Sequence, residues 1–134
     1  GRQIGKYRKM HMFDIDVEGG QYYSESSVIT AGDEVCVVET EFGPIGVAIC
    51  YDVRFPELFR LLAKRGAKAV VMPASFNRTT GPAHWELLMR ARALDQEMYV
   101  LGCAAAVLIT DGDIPLRWIH GDRSWRNWAR VRAC

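Results

Sequence analysis

The chain has 134 residues, which is enough for one compact domain with a single hydrophobic core. Hydrophobic residues make up 49% of it and charged residues 25%, and 17 Lys and Arg against 16 Asp and Glu leave a formal net charge of +1. This balance argues against charge-driven binding to nucleic acid. No apolar run reaches the roughly 18 residues of a membrane-spanning helix, so we expect no membrane partner and a cytoplasmic location.

The pattern of apolar residues predicts an alternation of strands and helices. Two strands are expected at 35–39 (VCVVE) and 45–49 (IGVAI), and two more at 67–73 (AKAVVMP) and 98–106 (MYVLGCAAA). Helices are expected at 55–65, between Pro56 and a terminating Gly66, and at 81–96. The order strand, strand, helix, strand, helix, strand predicts the α/β class. The run at 67–73 is of the kind found in strands that are covered on both faces.

The sequence changes character at about Val107. Residues 107–134 show no clear period of 2 or 3.6 and concentrate Arg and Trp. We interpret 1–106 as the folded unit and 107–134 as a divergent tail, either irregular or read in an altered frame. A basic-aromatic tail that binds nucleic acid or a membrane surface is the alternative.

The four cysteines lie at 36, 50, 103 and 134, without a CxxC pair or a zinc-ligand spacing. We therefore expect no disulfide framework, no metal and no cofactor. Cys36 and Cys103 lie in apolar runs and are expected to be small buried hydrophobic residues. Cys50 differs, because it follows a predicted strand and precedes a predicted helix.

This position of Cys50 is suited to a nucleophile. Unpaired N–H groups at the start of a helix favour a thiolate over a thiol, and the same groups stabilise an oxyanion. The Tyr51 amide is the best placed oxyanion donor. By itself, the stretch GKYRKMH with Lys9 is typical of a solvated basic patch, with an ammonium directed at the site as the functional alternative. Glu25, in YYSESS, is by itself typical of a surface carboxylate.

Several motifs in order along the chain resemble the carbon–nitrogen hydrolases of the nitrilase superfamily, in particular the omega-amidase branch. They are YRKMHMFDID (7–16), SES (24–26), AGDEV (31–35), GVAICYDVRFPELFRLLAKRGAK (46–68) and MPASFNRTTGPAHWELLMRARALDQ (72–96). The resemblance implies a portion of the family's αββα sandwich. It also implies release of ammonia from small carboxylate-bearing amides through a cysteine thioester.

The family's functional residues map onto this chain motif by motif. The resemblance makes Cys50 the nucleophile, Lys9 the catalytic lysine and Glu25 the glutamate that positions the lysine and substrate. It places Phe76 and Asn77 near the pocket, and it implies a homodimer through the helices at 55–65 and 81–96.

Two departures from the family pattern are expected to matter. The family's general-base glutamate belongs to a portion that precedes YRK, and a later family segment after the strand at 98–106 is not recognisable. A catalytically silent fragment is therefore the alternative to an active amidase.

Overall fold

The computed structural model describes residues 1–76 and 80–104. The predicted tail at 107–134 and the predicted pocket residue Asn77 lie outside these residues. The described part begins with an extended segment, followed by a hairpin of β1 (Asp14–Asp16) and β2 (Tyr22–Ser24) and a short 3-10 helix (Glu25–Ser27). The sequence analysis did not predict this hairpin, because its strands have only three residues each.

A four-stranded sheet forms the centre of the molecule, with strand order β3 (Cys36–Thr40), β4 (Gly43–Val47), β5 (Ala69–Ala74) and β6 (Tyr99–Ala104). The first two strands pair antiparallel, and β4, β5 and β6 run parallel to one another. A second 3-10 helix (Cys50–Arg54) and α1 (Pro56–Lys64) connect β4 to β5, and α2 (Thr80–Asp95) precedes β6. The predicted α/β class and element order are confirmed.

The first α-helix has the boundaries that its sequence signals indicate. Pro56 occupies the first turn, where its missing N–H costs nothing, and Leu58, Phe59 and Leu62 are almost completely buried. Gly66 ends the helix at φ +90°, a left-handed conformation that favours glycine. The helix thereby packs its apolar stripe on one face of the sheet.

The second α-helix packs on the same face of the sheet, above β6. A Cβ atom placed on Gly102 would lie 2.5 Å from the Trp85 ring and 2.5 Å from the Met89 methyl carbon, so glycine allows the helix to approach the strand closely. Arg92 extends from the buried side of the helix and donates a hydrogen bond to the Val53 carbonyl at 2.9 Å. This contact ties the helix to the segment that carries Cys50.

The two faces of the sheet differ among the described residues. Val70 and Met72 lie in the core beneath the helices, whereas Val71 and Leu101, on the opposite face, are 37% and 38% exposed. The prediction that the strand at 67–73 is covered on both faces is therefore wrong for the described part of the chain. Cys103 is exposed on β6 rather than buried, since its side chain alternates onto this open face.

None of the helices in residues 1–76 and 80–104 is both long and apolar enough to cross a bilayer.

Candidate active site

A cavity of about 610 Å³ opens where β4 and β5 end. Its volume is within the roughly 300–1,000 Å³ of small-molecule sites. Parallel neighbouring strands present their carboxyl ends at one edge of a sheet, and the segments that follow them line this cavity. Five of the six residues that the sequence analysis selected lie on its wall: Lys9, Glu25, Cys50, Tyr51 and Phe76.

Cys50 is the first residue of the second 3-10 helix, three residues beyond Val47, the last paired residue of β4. The predicted helix at 55–65 is confirmed as α1, which begins at Pro56, and the short 3-10 helix lies between it and β4. Cys50 has φ +48°, a left-handed backbone conformation that is uncommon outside glycine and is found at functional sites. Its thiol lies 3.8 Å from the Ser75 carbonyl oxygen, to which it donates.

The Tyr51 amide follows Cys50 directly at the start of the 3-10 helix. The first hydrogen bond of that turn is donated by the Asp52 N–H to the Ile49 carbonyl, at 3.0 Å. The amides of Cys50 and Tyr51 therefore come before the hydrogen-bonded part of the turn, where a helix has no internal acceptors for them. The oxyanion on an acyl carbon that is bonded to the Cys50 sulfur is the kind of acceptor that such donors stabilise.

Lys9 and Glu25 form an ion pair inside the cavity wall. The lysine Nζ and the glutamate Oε2 are 2.5 Å apart, and the two side chains are 8% and 14% exposed. The backbone N–H of Phe13 donates to the same glutamate oxygen at 2.7 Å. Glu25 thus holds the Lys9 ammonium beside the cavity, although 16 residues separate them in the sequence.

The hairpin of β1 and β2 positions Glu25. Strand β2 leads directly into the first 3-10 helix, whose first residue is Glu25, and the Glu25 N–H donates to the Phe13 carbonyl at 3.2 Å. The Ser26 N–H donates to Asp14 Oδ1 at 3.0 Å, and this hydrogen bond lowers the pKa of the Asp14 carboxyl. Because the Glu25 side chain is only 14% exposed and lines the cavity, its interpretation as a surface carboxylate is wrong.

Arg54 is a cavity residue that the sequence analysis missed. Its guanidinium lies 5.5 Å from the ring centroid of Tyr51 and 5.7 Å from that of Phe76, and it donates to His84 Nδ1 at 3.2 Å. None of the ion pairs among the described residues includes Arg54. No periodic signal marked Arg54, because residues 50–54 form a 3-10 helix, whose roughly three residues per turn do not align positions four apart.

Phe76 forms the apolar part of the wall near Arg54. Its ring packs edge to face against Trp85 of α2, with centroids 4.9 Å apart.

The described residues contain no group of three or more His, Cys, Asp or Glu side chains that could hold a metal ion. The cavity therefore combines a thiol, a paired ammonium, a guanidinium and aromatic surface, which are groups suited to acyl transfer on a small polar molecule.

Comparison with known proteins agrees with the motifs. The family model for carbon-nitrogen hydrolases matches residues 1–122. Omega-amidase NIT2 of Xenopus tropicalis is 51% identical over 106 residues, which are 79% of this chain and 38% of that protein. The chloroplastic omega-amidase of Arabidopsis thaliana is 50% identical over 106 residues, which are 79% of this chain and 29% of that protein. The chain thus spans about a third of the length of these relatives.

A solved structure supports the same relationship at the level of the fold. The crystal structure of Saccharomyces cerevisiae Nit3, a member of branch 10 of the nitrilase superfamily, superposes with a TM-score of 0.70. It is 41% identical and covers 84% of this chain and 38% of that one. The chain belongs to the carbon–nitrogen hydrolases of the nitrilase superfamily.

Proposed function

We propose that the chain carries the nucleophile-bearing part of an amidase of the omega-amidase type, which releases ammonia from small carboxylate-bearing amides. The observation that carries this proposal is the convergence of Cys50, Lys9 and Glu25 on one cavity. The omega-amidases among the relatives support the reaction type. The roles of the individual residues follow from the chemistry that each one offers.

The first half of the proposed reaction is acylation of Cys50. Its thiolate attacks the amide carbonyl carbon, and a carbon–sulfur bond forms as the carbonyl oxygen becomes an oxyanion. The Lys9 ammonium and the Tyr51 amide stabilise this oxyanion. The carbon–nitrogen bond then breaks, and the nitrogen takes up a proton and leaves as ammonia, so that a thioester remains.

The second half is hydrolysis of the thioester by water, which yields the carboxylic acid and restores the thiol. Both halves need a proton carrier, a contribution typically worth about 10² to 10⁴ in rate. Glu25 is the carboxylate among the described cavity residues, but Lys9 and the Phe13 amide already occupy its Oε2. We therefore assign Glu25 to positioning and expect proton transfer to depend on the glutamate that the family carries before the YRK motif.

Arg54 supports the proposed preference for carboxylate-bearing substrates. A guanidinium offers donors in a planar fork that matches both oxygens of a carboxylate. Its place on the cavity wall, beside the apolar Phe76 ring, suits a short acid whose carbon chain packs on the ring. Asn77 stays a sequence-based proposal for the same pocket.

The test separates acylation from turnover. The 134-residue chain is incubated with a panel of short omega-amides and with an aryl ester of the same acids, and ammonia and intact mass are recorded. The ester needs no protonation of its leaving group, so it reports acylation alone. We expect an adduct on Cys50 that is lost in Cys50→Ala and kept in the matched control Cys103→Ala. An adduct that survives Cys50→Ala would disprove the assignment of the nucleophile.

The same assay tests the proposed role of Arg54. For esters that bear a carboxylate, Arg54→Leu is expected to raise the concentration at which the rate of acylation is half-maximal. Neutral esters of equal length are expected to be unaffected, because they do not use the guanidinium. Equal effects on both series would contradict the role in substrate selection.

Three further properties are part of the proposal: a homodimer, a cellular location and the end of the folded unit. A homodimer is supported by an apolar stripe on the outer side of α2, where Leu87 and Leu94 are 66% and 56% exposed.

A reducing compartment such as the cytoplasm suits an enzyme with a free catalytic thiol. Cell fractionation would distinguish this location from a plastid location like that of the Arabidopsis relative. A folded unit ending near Ala106 predicts that deletion of 107–134 leaves the melting temperature unchanged.

A further inference from the structure

Asp52 is a completely buried carboxylate that lies two residues after Cys50 and does not line the cavity. Such a group is costly to bury unless donors surround it. Its Oδ2 accepts from the Tyr7 hydroxyl at 2.8 Å and from the Ile49 N–H at 2.8 Å. Its Oδ1 accepts from the His11 N–H at 3.1 Å and from His11 Nδ1 at 2.7 Å. Both oxygens are thus bonded twice.

These four donors belong to the two segments that carry the proposed catalytic groups. Tyr7 and His11 lie two residues before and two residues after Lys9, and Ile49 directly precedes Cys50. One carboxylate therefore joins the lysine segment to the thiol turn across more than 40 residues of sequence. Through Ile49 it also closes the turn in which Cys50 adopts its left-handed conformation.

The surroundings of Asp52 favour a carboxylate at this position. Among the described residues its only ion-pair partner is His11, whose ring is held by stacking on Phe55 at 3.7 Å between centroids and 8° between planes. Tyr7 remains a hydroxyl donor, because burial, and then the hydrogen bond to Asp52, raise its pKa. An amide in place of the carboxylate would turn an N–H₂ group towards two of the four donors.

We propose that Asp52 is a positioning residue, whose carboxylate sets the placement of the Lys9 ammonium relative to the Cys50 thiol. This inference rests on the proposed function, in which both groups act on one acyl carbon. Removal of the carboxylate would leave Lys9 bound to Glu25 but would release its segment from the thiol turn. A misplacement of about 1 Å can cost on the order of 10²-fold in rate.

The test is a double-mutant cycle between Asp52→Asn and Lys9→Met, read by the rate of Cys50 acylation with the aryl ester at a temperature where every variant is folded. Asp52→Asn is expected to slow acylation about 10²-fold in the wild-type background. In the Lys9→Met background, Asp52→Asn is expected to slow acylation less than about threefold, because the ammonium that Asp52 positions is then absent. Asp33→Asn, the same change at an exposed residue of the loop before β3, is the matched control and should leave the rate unchanged.

A purely structural role for Asp52 predicts equal losses in both backgrounds, and equal losses would overturn the proposal. An unchanged acylation rate in Asp52→Asn would also overturn it. If Asp52→Asn does not fold, Tyr7→Phe replaces it in the cycle, since it removes one of the four donors and keeps the ring. We then expect a loss of about tenfold that again depends on Lys9.

Failure of this inference is distinguishable from failure of the proposed function. If the wild-type chain forms no adduct on Cys50, the proposed function fails, and the positioning role that rests on it fails with it. If the adduct forms on Cys50 and is insensitive to Asp52, only the positioning role fails.

Discussion

At the scale of single residues, the candidate site depends on how buried charges are satisfied. Lys9 and Glu25 are mostly buried and face each other, so each compensates for the desolvation of the other. Asp52 has no Lys or Arg partner among the described residues and is satisfied by four hydrogen bonds, two of them from His11. Both arrangements place charge at fixed points near Cys50.

Lys9→Met is expected to lower the free energy of unfolding by about 3 kcal/mol, because it leaves the Glu25 carboxylate buried without its cation. Adding Glu25→Gln to Lys9→Met should recover part of this loss, since the uncompensated charge is removed. Urea denaturation of both variants measures the two values. Equal stability of wild type and Lys9→Met would mean that the ion pair contributes nothing.

Tyr7 is expected to be the last of the five tyrosines to ionise. Its pKa is raised, chiefly by burial, so its neutral form stabilises the folded state fully below about pH 10, the ordinary tyrosine value. This contribution is lost as the pH rises further. Spectrophotometric titration should show a late or unfolding-linked phase in wild type that is absent in Tyr7→Phe. Five tyrosines titrating together would contradict this.

At the scale of secondary-structure elements, the cavity follows from the parallel arrangement of β4 and β5. Strand β5 extends beyond its pairing with β4, and Pro73 lies in that extension, where β6 is the only neighbouring strand in the described part of the chain. A proline is tolerated there because no hydrogen bond is needed on the open side. Residues 74–76 can then turn towards the cavity, which α2 closes through the packing of Trp85 on Phe76.

Gly102→Val is expected to destabilise the protein by about 1–3 kcal/mol, because the new side chain would overlap with the Trp85 ring and displace α2. Cys103→Val introduces the same side chain at the neighbouring position, on the open face of β6, and should change the stability little. Thermal denaturation followed by circular dichroism compares the two variants. An equal effect of both would show that the close approach of α2 is not required.

At the scale of the whole molecule, apolar surface remains exposed on two sides among the described residues. The outer side of α2 carries Leu87 and Leu94, and the open face of the sheet carries Val71 and Leu101. Leu87 and Leu94 are seven residues apart and therefore form one stripe. An interface between two copies needs such a surface.

Leu87→Asp is expected to shift the protein towards monomer, because a charge at the centre of an apolar interface is costly to desolvate. Val28→Asp, at a position that is 79% exposed and distant from α2 in the sequence, is the matched control. Sedimentation velocity at several concentrations measures the association. A wild-type chain that is monomeric throughout, or a dimer that tolerates Leu87→Asp, would contradict the proposed dimer face.

The sequence by itself determined the order of the elements and the family. Apolar periodicity, Pro56 and Gly66 are local signals, so they indicated α1 and the strands to within a few residues. The motifs around Lys9, Glu25 and Cys50 also selected three residues that the fold places on one cavity, although their chemical roles remain predictions.

Only the tertiary structure decided how these residues are held and what else surrounds them. The bonds from Asp52 to Tyr7 and His11 join positions 45 and 41 residues apart, and no local pattern encodes a contact at that distance. The same holds for the place of Arg54 beside Phe76 and for the open face of the sheet. Each depends on which elements pack together, because hydrogen bonds, burial and exposure are properties of the assembled fold and not of a segment.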